Sequence, residues 1–166
     1  MSQSPSHQTG LFILDFARQA TNGFLTGLEG DLFYKLFCPA GGNAAYVVGH
    51  IASTDDMTLQ MLAGQPSALT EQEQKLFGGG ATPTENPADY PSRERLMELF
   101  TERRQAVTDY FKGLSEDELL APVEGPMAQF GDTRAKLMSA LAWHESMHAG
   151  QLTVIRRQND LPRVFG

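Results

Sequence analysis

The sequence predicts an all-α fold, a four-helix bundle with a long crossover connection between helices 2 and 3. Three observations support this prediction. Four segments of about 20 residues repeat their apolar residues at the period of an α-helix. No segment shows the apolar–polar alternation of a half-buried strand. Between the second and third segments lies a Gly- and Pro-rich stretch longer than an ordinary helix–helix connection.

The first two predicted helices flank a connection broken by Gly and Pro. Asn43 is a good N-cap for the second helix, which we expect to end at about Ala63, before Gly64. Within the connection, "DLFYKLF" predicts a short helix. The first helix covers residues 9–28 and carries one apolar stripe, formed by Phe12, Phe16, Ala20 and Phe24.

Residues 64–91, which include "GGGATPTENP", are predicted to be a loop rather than a core element. A loop that crosses the bundle from end to end would leave helices 2 and 3 parallel. Helix 3 is expected to begin after Ser92, and "SEDE" at 115–118 predicts a short capped turn. Asp132 is the expected N-cap of helix 4, which runs to about Gln158 before "NDLP". The apolar side of helix 3 carries Leu96, Leu99, Phe100, Val107, Tyr110 and Phe111.

Composition limits the class of protein. The chain of 166 residues is expected to form one domain over 1–166, with residues 1–8 as a flexible tail that includes His7. A formal net charge of −7 argues against a nucleic-acid partner. No apolar run is long enough to span a membrane, and no secretory signal is recognisable. The single cysteine, Cys38, fits a reducing cytoplasm, where we expect the protein to act, and is more typical of a structural than of a reactive residue.

"HESMH" at 144–148 places two histidines on one helix face, about 6 Å apart, where they can share a metal ion. His144 and His148 lie on the apolar stripe of helix 4, and His50 lies on that of helix 2. Imidazoles that face the core need partners for their ring nitrogens. A divalent metal bound by His50, His144 and His148 satisfies all three histidines.

HExxH is also the zinc-peptidase pattern, in which the glutamate acts as general base. Such enzymes usually hold the peptide on a strand edge, which this sequence does not predict, and here the third histidine lies upstream. Glu145 flanks the stripe, and three roles remain open for it: catalysis on a bound water, an indirect contact to the site, or an ordinary surface position.

Two further polar residues are candidates for a catalytic site. Arg103 falls in the middle of the helix 3 stripe, where it would clamp a substrate carboxylate or, alternatively, extend to the rim or pair with a nearby glutamate. Gln151 lies within about 20° of His144 on a helical projection and would orient a bound water or hold a helix contact.

"NAAYVVGHIASTDDM" and "LAWHESMHAGQLTVIRRQNDLP" resemble the DinB/YfiT-like superfamily over nearly the whole chain. The HxxxHxGQ ending together with the upstream "GHIA" histidine carries the resemblance. It implies a four-helix bundle in which His50, His144 and His148 hold one divalent metal, usually nickel or zinc. Three imidazoles also suit iron or copper. The resemblance also implies thiol-dependent transferase or isomerase chemistry with a low-molecular-weight thiol such as bacillithiol or mycothiol, and a homodimer.

The leading functional hypothesis is a metal-dependent enzyme that acts on a small-molecule substrate. Its alternative is a non-catalytic, metal-bound, stress-related binding or scaffold module, and a metal-dependent hydrolase ranks behind both. If helices 2 and 4 are antiparallel, a shared metal fixes their register. The substrate pocket is then expected at one end of the bundle, with "CPAGG", "NDLP" and part of the 64–91 loop around its opening.

Overall fold

The computed structural model describes residues 3–38 and 41–165, and within these ranges all regular secondary structure is helical. Only an isolated bridge between Pro122 and Thr133 has β geometry there. No helix in the described ranges is long and apolar enough to cross a membrane. The α-helices are α1 (Pro5–Leu25), α2 (Ala44–Ala63), α3 (Glu71–Phe77), α4 (Arg93–Gly113), α5 (Glu116–Leu120) and α6 (Arg134–Gln158). Short 3₁₀ turns lie at Gly30–Phe33, Pro87–Asp89 and Gly125–Gln129.

The first helix begins earlier than predicted. Ser4 caps α1 by accepting a hydrogen bond from the His7 amide, and Pro5 occupies the first turn, where a missing N–H costs nothing. The His7 ring is 2% exposed, and its Nε2 lies 2.7 Å from the Phe111 carbonyl oxygen. Residues 5–8 are therefore helical rather than a flexible tail, while residues 1 and 2 lie outside the described ranges.

The ends of the two helices that carry the histidines follow local capping chemistry. Asn43 caps α2, accepting from the Tyr46 amide at 2.8 Å, and Gly64 ends that helix in the left-handed conformation with φ 65°. Both assignments confirm the sequence prediction. For α6 the predicted cap was one residue too early: Thr133, not Asp132, accepts the hydrogen bond from the Lys136 amide.

Two contacts define the relative direction of α2 and α4. Asp55 pairs with Arg104, and seven residues later in α2 the Leu62 carbonyl accepts a hydrogen bond from the Tyr110 hydroxyl. Positions therefore advance together along both helices, which run in the same direction.

A layer of buried charged residues separates two apolar clusters in the core. The layer contains one residue from each of the four long helices: Arg18, Asp55, Arg104 and Glu145. On one side of it lies a cluster that includes Val48, Phe100 and Leu152, and on the other side a cluster that includes Leu59, Phe111 and Leu141.

The connection between α2 and α4 is a core element, contrary to the prediction of a simple loop. It contains α3, and Leu69 and Phe77 are buried in the first apolar cluster. A Cβ atom on Gly49 would lie 2.3 Å from the Phe77 ring, so only glycine allows the connection to pack this closely on α2. The capping box of Thr70 and Glu73 nucleates this short helix within a Gly- and Pro-rich stretch.

Candidate metal centre

The structure brings three of the four histidines together. His50 of α2 meets His144 and His148 of α6, and their ligand nitrogens all lie within 4.8 Å of one another. The Nε2 atoms of His50 and His144 are 3.2 Å apart. The helix register that a shared site requires is therefore present.

Hydrogen bonds fix which nitrogen of two of these rings is free. The Nδ1 of His50 lies 2.7 Å from the Phe77 carbonyl oxygen, and the Nδ1 of His148 lies 3.1 Å from the Gln151 Oε1. The Phe77 carbonyl oxygen can only accept, so the proton of His50 lies on Nδ1, and the Gln151 amide in this orientation requires the same of His148. Each Nε2 then presents a lone pair. This is the tautomer that a metal-binding histidine adopts when a neighbouring oxygen orients its ring.

Burial keeps the α6 histidines uncharged. Desolvation, followed by the neighbouring His148 and His50, lowers the pKa of His144 to about 4. Desolvation also lowers the pKa of His148, although the hydrogen bond to Gln151 opposes the shift. Both rings are neutral at pH 7, the state that binds a metal.

These residues fit a divalent ion. Two nitrogens that each bind one zinc ion at 2.0–2.1 Å can be at most about 4.2 Å apart. The 3.2 Å separation of the His50 and His144 nitrogens meets this limit, and a ligand set within 4.8 Å needs only a small adjustment. Two of the three rings already present a lone pair, so the site requires no change of tautomer there.

A cavity of about 290 Å³ opens onto His50 and His144. Its walls come from the middle of α2, the first half of α6, the Gly125–Gln129 turn with Phe130, and Phe77 with the two glycines that follow it. Neither "CPAGG" nor "NDLP" contributes a described residue to this lining, so that part of the predicted rim is wrong. The α6 residues of the lining lie between Leu137 and His144, so the cavity extends from the histidines toward the start of that helix.

Glu145 lies behind the histidines rather than at the cavity. It is 0% exposed, and its Oε1 accepts from the Arg18 Nε at 2.8 Å while its Oε2 pairs with the Arg104 Nη1 at 2.8 Å. Asp55 completes the group by accepting from the Nε and Nη2 of Arg104, both at 2.9 Å. The role of an ordinary surface glutamate is therefore excluded.

The four charges compensate one another. Burial alone would lower the pKa of Arg104, but Asp55 and Glu145 outweigh that effect and raise it. Arg18 is held further by the Phe100 carbonyl oxygen and by the Phe100 ring, whose centroid lies 3.4 Å from its guanidinium carbon. Because Glu145 lies between His144 and His148, this group of charges fixes the turn of α6 that presents both histidines.

A family model of the DinB superfamily matches residues 13–152, a span that includes the three histidines and the four buried charges. The chain belongs to the DinB superfamily. It is also similar to the crystal structure of the conserved protein of locus from Enterococcus faecalis, at 17% sequence identity and a TM-score of 0.68. That similarity covers 94% of this chain and 97% of the other and shows a shared fold. No curated protein matches the chain.

The other two predicted site residues of this DinB-superfamily chain, Gln151 and Arg103, lie at different distances from the histidines. Gln151 contacts the site through His148. The Arg103 side chain is 17% exposed, and its Nη1 lies 3.7 Å from the Oδ1 of Asp56, whose side chain is 2% exposed. Arg103 is not part of the cavity lining, and its acidic neighbour is an aspartate rather than the expected glutamate. The arginine of the buried charged layer is its neighbour Arg104.

Sequence reasoning missed the Phe77 carbonyl and three of the four buried charges, Arg18, Asp55 and Arg104. A backbone carbonyl leaves no signature in a sequence. For the charges a signal exists: Arg18 lies four residues after the buried Leu14, and Arg104 lies four residues after the buried Phe100. Residues four apart lie about 40° from each other on a helical projection, so each arginine lies beside a core residue of this DinB-superfamily chain.

Proposed function

We propose that the protein is a metal-dependent enzyme that uses a small thiol, with one divalent ion held by His50, His144 and His148. Zinc and nickel are the first candidates for the ion, and three imidazoles also suit iron and copper. The observation that carries the proposal is the position of the three grouped imidazoles beside a cavity that reaches solvent and that two of them, His50 and His144, line. We also infer that the four long helices form a four-helix bundle with a crossover between α2 and α4.

When bound, the ion would supply Lewis acidity that lowers the pKa of a thiol or a water molecule entering the cavity. The chain's own residues hold and orient the ligands. The Phe77 carbonyl and Gln151 keep the His50 and His148 rings in the required tautomer. The apolar wall of the cavity excludes water around the reacting sulfur, which strengthens the electrostatic interactions there.

The buried ion pairs disfavour the hydrolase alternative. In an HExxH hydrolase the glutamate takes a proton from the attacking water. Both carboxylate oxygens of Glu145 are already paired with Arg18 and Arg104, and the side chain is 0% exposed. Its structural contacts and its burial leave Glu145 no access to a substrate.

The rival hypothesis is a non-catalytic, metal-bound, stress-related binding or scaffold module. Such a module would be expected to close the site with a fourth protein ligand. Among the described residues, the histidine group contains no fourth ligand, and the cavity ends at two of its three members. This arrangement favours the enzyme.

A thiol-conjugation assay tests the proposal. Bacillithiol, mycothiol, glutathione and coenzyme A are each mixed with 1-chloro-2,4-dinitrobenzene and either metal-loaded or metal-stripped protein. The sulfur forms a bond to the ring carbon, chloride leaves, and the thiol proton passes to solvent. A thiol of pKa 8.5 is only a few per cent ionised at pH 7, so full ionisation alone gives about a 30-fold faster reaction with the best thiol.

His144→Ala should behave like stripped protein, and Met147→Ala, an exposed residue one turn along α6, like the wild type. Equal rates with loaded and stripped protein for all four thiols would favour the non-catalytic module.

We further propose that the protein forms a homodimer through α1. Phe12 and Phe16 are 65% and 57% exposed, and their rings stack with centroids 5.9 Å apart. An exposed aromatic pair of this kind is typical of a surface that a second copy covers. Sedimentation velocity should give a dimer for the wild type and a monomer for a Phe12→Ser, Phe16→Ser double variant. A monomeric wild type at micromolar concentration would remove this proposal.

A further inference from the structure

The cavity at the histidines has no formally charged side chain in its described lining. Its walls are mainly apolar, from Met57, Phe77, Met127, Phe130, Leu137 and Leu141. Ser53 and Thr54 are the hydroxyl residues of the lining, and the Thr54 hydroxyl already donates to the His50 carbonyl oxygen at 3.1 Å. A carboxylate or phosphate that entered this space would lose its hydration without meeting an arginine or lysine.

The charges of the neighbouring helices are used elsewhere. Asp55, Glu145, Arg18 and Arg104 neutralise one another in the buried layer. Asp56 accepts from the Ser67 hydroxyl at 2.6 Å and from the Ala68 amide at 3.0 Å, which holds the start of the α2–α4 connection. None of these groups is part of the cavity lining, so the interior of the cavity selects for apolar surface.

The size of the cavity limits what it can hold. Its volume of about 290 Å³ lies at the small end of the range for ligand sites. At the roughly 30 Å³ that one water molecule occupies in the liquid, this is room for about ten non-hydrogen atoms. A whole low-molecular-weight thiol with a sugar or a peptide body is both larger and more polar than this space allows.

We propose that the cavity binds the uncharged, apolar part of the substrate, about ten non-hydrogen atoms in size, while the polar body of the thiol stays outside its mouth. The apolar molecule is then the electrophile, and only the sulfur end of the thiol reaches the histidines. The assignment of these two roles rests on the proposed function. The binding of an apolar group depends only on the cavity.

Trp143 is a built-in reporter for this binding. It is the only tryptophan of the chain, it is 62% exposed, and it lines the cavity. A series of primary alcohols from butanol to dodecanol can therefore be titrated against its emission, with metal-loaded and with metal-stripped protein. We expect the dissociation constant to fall about three- to fourfold with each added methylene, because each one leaves water, until the cavity is full near eight to ten carbons.

The limiting chain length is that of the longest alcohol whose added methylene still tightens binding. Two variants should change it in opposite directions. Ala140→Leu adds three carbon atoms to the wall and should shorten the limiting chain by about three carbons. Met57→Ala removes three heavy atoms and should lengthen it by about as much. Ser139→Leu, an exposed neighbour on α6 that does not line the cavity, is the matched control and should leave the limit unchanged. Far-UV circular dichroism verifies that each variant is folded.

An affinity that does not depend on chain length, or a limit that neither cavity variant moves, overturns the inference. Tighter binding of succinate or inorganic phosphate than of octanol to metal-stripped protein overturns it as well, because in that protein no ion at the histidines attracts the anion. Because the titration is also performed on metal-stripped protein, its result is independent of the conjugation assay. Length-dependent binding without metal-dependent conjugation would contradict the proposed function and leave the apolar site intact. Metal-dependent conjugation without length-dependent binding would contradict the apolar site and leave the proposed function intact.

Discussion

Replacing Arg104 by methionine is expected to lower the free energy of unfolding by about 3–5 kcal/mol, the typical cost of removing one partner from a buried ion pair. The substitution keeps most of the side-chain volume but leaves Asp55 and Glu145, both 0% exposed, with Arg18 as their remaining cation. One negative charge then lies uncompensated between the two apolar clusters of the core. Urea denaturation followed by circular dichroism measures the loss.

The adjacent arginine provides the matched control. Arg103 is half-buried, and its nearest acidic atom, the Asp56 Oδ1, lies 3.7 Å away. Arg103→Met should lower the free energy of unfolding by less than Arg104→Met does, because a contact of 3.7 Å is not a hydrogen bond and Asp56 keeps those it accepts from Ser67 and Ala68. Equal effects of the two substitutions would show that the buried layer contributes no more than this long contact.

A second substitution should restore part of the loss. Arg104→Met combined with Asp55→Asn returns the layer to one positive and one negative charge, Arg18 and Glu145, which remain 2.8 Å apart. The double variant should be more stable than the sum of the two single effects predicts, with a coupling of about 1–3 kcal/mol. Strict additivity would count against mutual compensation of the four charges.

The contrast between Arg103 and Arg104 shows that helical periodicity alone does not predict which of two neighbouring arginines joins the buried charged layer. The predicted stripe included Tyr110, which is only half-buried and extends its hydroxyl to the Leu62 carbonyl. Leaving Tyr110 out moves the centre of the stripe by only about 10°, because Leu99 and Phe111 remain buried on either side of it. Arg103 still lies nearer to that centre than Arg104. The two arginines differ in the partners that other helices supply, because Arg104 reaches Asp55 of α2 and Glu145 of α6.

The histidines could be placed from the sequence because they combine three independent signals. Each lies on an apolar stripe, two of them are four residues apart, and the caps at Asn43 and near residue 133 give their heights along the two helices. The pocket could not be placed in the same way. Its wall at Phe77 depends on how the connection folds back onto Gly49, a contact distant in sequence and hidden among glycines and prolines.

Removing the metal is expected to destabilise the wild-type protein by about 3–4 kcal/mol when the free ion had been held at 100 to 1,000 times its dissociation constant. The stabilisation would arise because the proposed ion binds three nitrogens that only the folded chain brings together. Urea midpoints with zinc and with a chelator measure the difference. His50→Ala, His144→Ala and His148→Ala should each lose most of this zinc-dependent shift, and Met147→Ala should retain it. A zinc-dependent shift that survived in all three histidine variants would contradict the assigned ligand set.

The pH dependence of the metal-free protein has a definite sign. An unfolded imidazole takes up a proton below its ordinary pKa of 6.5, whereas burial holds His144 neutral in the folded chain down to about pH 4. The unfolded state therefore binds more protons between these values, and the contribution of His144 to stability decreases as the pH falls from 6.5 to 4. Metal-free His144→Ala lacks this contribution, so its stability should fall less steeply over that window than the wild type's. Parallel profiles would mean that the His144 ring is protonated as readily in the folded chain as in the unfolded one.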